Sequence, residues 1–367
     1  MSACDACLRR TALIGFLSTQ VANRLGRPGQ KGVILAMGDA ELIGAVAGSA
    51  AGAAHRLLRD FAAGPARARL EDVGLHAVCR HEPAYPARLR DLVDQPAVIH
   101  STLEPAGLSA LVEGPVVAVV GSRRASAHGL EVARKIGRTL SAAGVTVVSG
   151  LAMGIDAAAH RGALESGGRT VAVLGCGADR AYPRINHALY RQVREAGAVV
   201  AELPPGAPPS RWTFPARNRI MAGLASVTVV VEAAERSGSL ITATFAVELG
   251  RDVGAVPGRV TSREAAGSNA LLHAGAGVWR GGEDILDAVL GAGNWDRAAV
   301  ERVPAEAGLD QDQRRVLRAI EDGESIGAVA EAAGLSAGAL RGALGKLELI
   351  GLVRRDGLGR YERALAR

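Results

Sequence analysis

Aromatic residues are scarce: three Trp, four Tyr and four Phe in 367 positions. The cores must therefore be built from Ala, Val, Leu and Ile, which the apolar fraction of 48% can supply. Four cysteines are too few for a disulfide framework in a chain of this length. No apolar run reaches the roughly 18 residues that a transmembrane helix needs. The start, Met1 to Cys7, lacks the charged-then-apolar pattern of a secretory signal, so a cytoplasmic location is expected. Cys4 and Cys7 form an isolated Cys-x-x-Cys. A zinc site would need a second ligand pair, and none lies nearby in sequence. The two thiols are expected to be free on a mobile end, with no metal.

Lysine is nearly absent as well: Arg supplies 40 of the 43 basic residues. The charge is unevenly placed. Residues 1–114 hold 12 basic and 11 acidic groups, and residues 309–367 hold 10 and 9. Residues 115–280 hold 19 and 11, a net charge of +8, while residues 281–308 hold 2 and 6. A basic segment between near-neutral flanks points to a polyanion partner for that segment.

The length implies two or three domains at roughly 100–200 residues each. Residues 1–75 show apolar positions at helical spacing around Leu8–Leu17 and Leu57–Phe61, a small helical domain. Proline density over residues 80–114 suggests an irregular connector without regular helix. From residue 116 short apolar runs alternate with amphipathic stretches. The runs are Val116–Val120, Val145–Val148, Thr170–Leu174, Ala198–Ala201, Val227–Val231, Val253–Val256 and Gly277–Trp279. The stretches are near 127–143, 155–166, 185–196, 215–224 and 239–250. Such alternation predicts an α/β domain over residues 76–290, a doubly wound, mostly parallel, Rossmann-like sheet. Residues 291–308 read as an acidic linker. Residues 309–367 read as three helices, with a turn at Gly334, followed by a hairpin, which is a winged helix.

Ligands of open parallel sheets bind at the carboxyl ends of the strands. Four of those ends are Gly- and Ser-rich: Gly121-Ser122-Arg123, Ser149-Gly150 through Gly154-Ile155-Asp156, Gly175-Cys176-Gly177, and Ser237-Gly238-Ser239. Backbone N–H groups at such turns hold anions, and a row of four phosphate sites is expected. After the fourth run comes Arg211-Trp212-Thr213-Phe214-Pro215-Ala216-Arg217-Asn218-Arg219. Its arginines suit phosphates, and its aromatics suit either base stacking or core packing. Arg217 and Arg219 cannot both face one way, so one is expected on the ligand and the other on a carboxylate of the fold. Asp156 and His160, four apart, suit a helix cap or a structural pair. Glu202 and Glu232 could serve a hydrolase or orient an arginine. No Gly-x4-Gly-Lys-Ser/Thr loop, complete dinucleotide fingerprint, His-Glu-x-x-His or Ser-centred elbow occurs.

These blocks, in order, resemble the DprA/Smf family of DNA-processing proteins. They are Gly-Ser-Arg-Arg-x-Ser, Ser-Gly-Leu-Ala-x-Gly-Ile-Asp-x-x-x-His, Val-Leu-Gly-x-Gly-x-Asp, Tyr182-Pro183-x-x-Asn186, Phe-Pro-x-Arg-Asn-Arg-Ile, Val-Glu-Ala-x-x-x-Ser-Gly-Ser-Leu-Ile-Thr-Ala and Val256-Pro257-Gly258, with Tyr85–Leu89 upstream. The resemblance implies a single-stranded DNA binder rather than an enzyme, without a cofactor. It implies an extended Rossmann fold, a homodimer, and delivery of the strand to the RecA recombinase. By position it implies DNA contacts at Gly121, Ser122, Arg123, Arg211, Phe214, Arg217, Asn218, Arg219, Ser237, Gly238 and Ser239. Gly150 and Gly154 join them from the turn reading above. The helical start is similar to the sterile-alpha-motif-like domain of some members. Rival expectations are a nucleotide-binding hydrolase of the lysine-decarboxylase-like group, whose Pro-Gly-Gly-x-Gly-Thr block is absent, and a ligand-sensing transcription factor. The latter would need a basic winged helix.

Overall fold

The computed structural model describes residues 3–25, 33–297, 300, 309–321, 326–349, 352–355 and 360–363. Two compact units result, Met1–Arg297 and Ala298–Arg367.

The first unit opens with helices α1 (Asp5–Phe16), α2 (Ser18–Leu25), α3 (Val33–Ala36), α4 (Asp39–Val46), α5 (Ala51–Asp60) and α6 (Ala63–Asp72). Leu13, Ile14, Val21, Leu42 and Ile43 of these helices, with Leu17 between α1 and α2, share a buried cluster with Leu203 and Trp212 of the sheet domain.

A nine-stranded sheet follows. Its strands are β1 (His76–Cys79), β2 (Val98–Ser101), β3 (Val116–Val120), β4 (Thr146–Ser149), β5 (Thr170–Leu174), β6 (Ala198–Ala201), β7 (Val227–Val230), β8 (Asp252–Ala255) and β9 (Gly277–Val278). The order is β1-β2-β6-β5-β4-β3-β7-β8-β9. From β6 to β9 all pairings are parallel, whereas β1 and β2 join antiparallel at one edge. Every residue of β3 and β5 is buried, as expected for strands covered on both faces. Helices α8 (Ala127–Ala142), α9 (Ile155–Glu165), α10 (His187–Ala196), α11 (Thr213–Leu224) and α12 (Ser239–Glu248) connect the parallel strands; α13 (Ala266–His273) and α14 (Gly282–Leu290) complete the unit.

Residues 80–114 are more regular than their prolines suggest. They contain β2 and a helix, α7 (Pro105–Glu113). Pro105 occupies the first turn, where a missing N–H costs nothing and the fixed φ suits the helix. Proline here starts a helix instead of excluding one.

The second unit contains helices Gln311–Glu321, Ile326–Ala333 and Ala337–Leu349, then an antiparallel pair, Val353–Arg355 with Tyr361–Arg363. Gly334, at the turn expected there, has a left-handed φ of +64°. Val316, Leu317, Leu344, Leu347 and Val353 form its core. This is the winged helix. Most of the acidic linker, and the hairpin's glycine turn, lie outside the described residues.

Candidate nucleic-acid interface

The direction of strand addition reverses at β3, which has β4 on one side and β7 on the other. Loops leaving β3 and β7 must diverge to opposite faces, and a crevice opens between them. A cleft of about 890 Å³ lies there, and its lining includes Ser122, Arg123, Arg211, Phe214, Ser237 and Ser239.

Two of the four glycine turns open on this cleft. After β3, the Ser122 hydroxyl accepts from the Arg124 N–H at 3.1 Å, shaping the turn. After β7, Gly238 is the N-cap of α12 and has no side chain to cap it. A Cβ at Gly238 would meet nothing. The first-turn N–H groups of α12 find partners only within the loop: Ser239 N–H on the Ser237 hydroxyl at 3.4 Å, and Leu240 and Ile241 N–H on the Ser237 and Gly238 carbonyls at 3.2 and 3.3 Å; the helix dipole favours an anion beside them. The Ser237 and Ser239 hydroxyls meet at 2.8 Å beside them. The Asn218 amide donates to the Gly238 carbonyl at 3.0 Å, tying α11 to this loop.

The other two turns are already occupied. The Asp156 carboxylate accepts from the Gly150 N–H at 3.1 Å and the Ala152 N–H at 3.4 Å, filling the anion position with a side chain. Burial pushes the Asp156 carboxyl up, opposed by Arg217 and those N–H groups. Gly150 is glycine because Arg217 and Asp156 lie where its Cβ would go. Gly154, at φ +79°, leaves no room for a Cβ against the Ser122 carbonyl. Neither borders the cleft. Gly175 abuts Thr213 and Phe214, and the Gly177 N–H donates to the Ala207 carbonyl at 3.0 Å. The expected row of four phosphate turns is reduced to the two whose glycines, Gly121 and Gly238, border the cleft.

The arginines separate likewise. Arg123 and Arg211 are exposed on the cleft. Arg217 is buried and donates to the carbonyls of Gly150 and Val173, with Asp156 at 3.8 Å. It forms a cationic floor for the cleft and ties the ends of β4 and β5 together. Arg219 points elsewhere. Its side chain is 1% exposed and bonds Asp94 at 2.7 Å and Glu202 at 2.9 Å. Its expected DNA contact is corrected: two buried carboxylates claim the guanidinium, and Arg219 is absent from the cleft lining. Arg219 is thus the member of the pair that meets the fold's carboxylates, and Glu202 is one of them.

Glu232 is also spent within the fold. It accepts from the Ser126 N–H at 2.9 Å and its hydroxyl at 2.5 Å, while that hydroxyl caps α8. Asp156 and His160 do not pair. His160 Nδ1 lies 2.7 Å from the Thr170 hydroxyl. That hydroxyl donates to the Val147 carbonyl, so Nδ1–H is the donor to it. Burial pulls His160 down to about 3.

Of the two aromatics, Trp212 is core. It is buried, and its indole N–H donates to Ser18 at 3.0 Å. Phe214 lines the cleft, with Arg123 5.1 Å and Arg217 5.7 Å from its ring centroid. Tyr182 lies 5.5 Å from the same ring, tilted by 32°, and is 40% exposed. Arg124, Arg236 and Arg263 line the cleft too. These four residues were not expected at the site. Tyr182, Arg124 and Arg236 each sit inside a block quoted for another reason. Arg263 is outside every block and left no signal.

The fold and site together define a class: a Rossmann-like protein with a basic cleft at the sheet's switch point and a winged helix in its second unit. A family described as DNA recombination-mediator protein A matches residues 76–290, and the DprA winged helix domain matches residues 300–357. The putative DNA processing protein DprA of Mycobacterium tuberculosis is 42% identical over 283 residues, covering 76% of this chain and 72% of that one. The X-ray structure of DprA from Streptococcus pneumoniae aligns at 32% identity and a TM-score of 0.61, over 78% of this chain and 98% of that one. A Helicobacter pylori DprA structure that reports a single-stranded DNA binding mode aligns at 26% identity and 0.53, over 59% and 95%. The chain belongs to the DprA/Smf family. Among the described residues no helix is long and apolar enough to cross a membrane.

Proposed function

We propose that this protein is a cytoplasmic mediator of recombination that binds single-stranded DNA without sequence preference, protects it, and loads RecA onto it as a homodimer. The observation that carries the reading is the cleft, where exposed arginines, two glycine turns with their serine hydroxyls and one aromatic ring converge. Phosphates dock on Arg123, Arg211, the Gly121–Ser122 turn and the Ser237–Ser239 turn. Phe214 offers a ring to a base. Stacking tolerates any base, and backbone contacts carry little sequence information. The dimer and the transfer to RecA rest on family membership, as does a role in uptake or repair of DNA.

The hydrolase alternative loses support from the carboxylates. Glu202 is held by Arg219, and Glu232 by Ser126. The test is titration of the full chain with a labelled poly-pyrimidine strand and with a duplex of equal length, across a salt series. A preference for the single strand with a steep salt slope is expected. Equal affinity for both, or binding of neither, overturns the reading. RecA filament formation on strands coated with a protecting protein then tests the loading step.

A further inference from the structure

The isolated Cys4-x-x-Cys7 pair is not on a loose end. Cys7 and His81, 74 positions apart, meet at 3.4 Å between Sγ and Nδ1, and Cys4 Sγ lies 3.4 Å from the same nitrogen. Cys79 completes the group. One ligand atom from each of the four residues lies within 4.8 Å of the others. All three cysteines are free thiols. We propose that Cys4, Cys7, Cys79 and His81 bind a structural zinc ion that fastens the N-terminal helices to the edge of the sheet.

Geometry, backbone and chemistry agree on this. A tetrahedral zinc with Zn–S of about 2.3 Å and Zn–N of about 2.0–2.1 Å holds its ligand atoms roughly 3.5–3.8 Å apart; here the two sulfur–His81 separations are 3.4 Å and all four atoms lie within 4.8 Å of one another. The local backbone gathers the ligands in two pairs. Cys4 is the N-cap of α1, and the Cys7 N–H donates to the Cys4 carbonyl at 3.1 Å, so both sulfurs project from one turn. Cys79 ends β1 and His81 follows two residues later, giving a second short-spaced pair. Three thiolates and one imidazole suit zinc, and four protein ligands leave no open position for substrate. Binding ionises the three thiols, their protons passing to solvent. Arg80, between two of the ligands in sequence, places a cation near the resulting negative charge.

The seam it would close matters to the fold. Cys7 and Leu8 of α1 pack with Leu75, Ala77 and Cys79 in one cluster. Farther along these helices, Ser18 anchors Trp212, two residues before Phe214.

The full chain, purified without chelator, should carry one equivalent of zinc by elemental analysis. Cobalt substitution should give the visible ligand-field bands and thiolate charge-transfer absorption of a tetrahedral thiolate site. Cys79→Ser should lose both. His81→Cys should keep stoichiometric metal with a shifted cobalt spectrum, which guards against a variant that simply misfolds. A reduced, folded chain that takes up neither zinc nor cobalt overturns the proposal. So does unchanged metal content in Cys79→Ser, or formation of a Cys4–Cys7 disulfide as the only stable state. None of these readouts involves DNA, so failure here leaves the DNA-binding reading standing.

Discussion

Arg219 and Glu202 form a two-pronged ion pair inside the protein, with both carboxylate oxygens within 3.0 Å of one guanidinium nitrogen. Asp94 takes the Nε at 2.7 Å. Together with Asp94 the pair joins α11, the residue after β6 and the segment before β2. Burial alone pushes the Glu202 carboxyl up, and Arg219 opposes it. Removing one partner of a buried pair leaves an uncompensated charge, at a cost of about 3–5 kcal/mol. Arg219→Ala should therefore lower the urea midpoint of the first unit strongly, while the folded fraction still binds DNA. A stable variant with lost DNA affinity would move Arg219 to the interface.

Arg123 and Arg211 should act on DNA alone. Each is exposed on the cleft, unlike the buried Arg217 and Arg219. Arg123→Ala or Arg211→Ala should weaken binding equally for all sequences and reduce the salt slope by about 0.7 for each phosphate left without its arginine. The urea midpoint should stay near that of the unaltered protein. Fluorescence titrations at several salt concentrations check both arms.

Phe214→Ala should weaken single-strand binding by about 1–3 kcal/mol, the worth of one base–aromatic stack, with little change in salt slope. Phe214→Tyr should restore most of it. Tyr182→Ala should show a smaller loss of the same kind, since Tyr182 flanks the same ring. If Phe214→Ala binds like the parent, the ring serves only to position Arg123.

Two buried histidines set an acid limit. Burial lowers His100 to about 4 and His160 to about 3, from an ordinary value of 6.5. Between those values the unfolded chain binds protons that the folded chain does not. Their contribution to stability is thus full above pH 6.5 and falls as pH drops towards 4 and below. The double change His100→Gln and His160→Gln should flatten the fall of unfolding free energy over that window. Urea melts at stepped pH values measure it.

The sheet was legible because its strands are buried on both faces and therefore read as continuous apolar runs. β5 and β6 fall on the expected bounds, and β4 is displaced by a single residue. β1 and β2 were less visible. They are four-residue strands at one end of the sheet whose antiparallel pairings join residues distant in sequence. At the site, Phe214 and the two outer turns followed from residue type and position. What one-dimensional reading could not show was which polar groups find partners inside. Arg217, Arg219, Gly150 and Glu232 carry the same signature as true ligand groups, and only the folded chain reveals that they are engaged. The nearness of Cys4 and Cys7 to Cys79 and His81 was hidden in the same way, because β1 brings the second two residues from far along the chain.

The loop after β7 is tied to α11 by Asn218 and to the start of α8 by Glu232. The groove is therefore set before any strand arrives, and the ordering entropy of docking falls almost wholly on the nucleic acid. Chains that begin least stacked surrender least. Thymine tracts should enter faster and hold better than adenine tracts, whose own base stacks must first be undone, so the chain's apparent taste in bases would be a record of DNA stiffness.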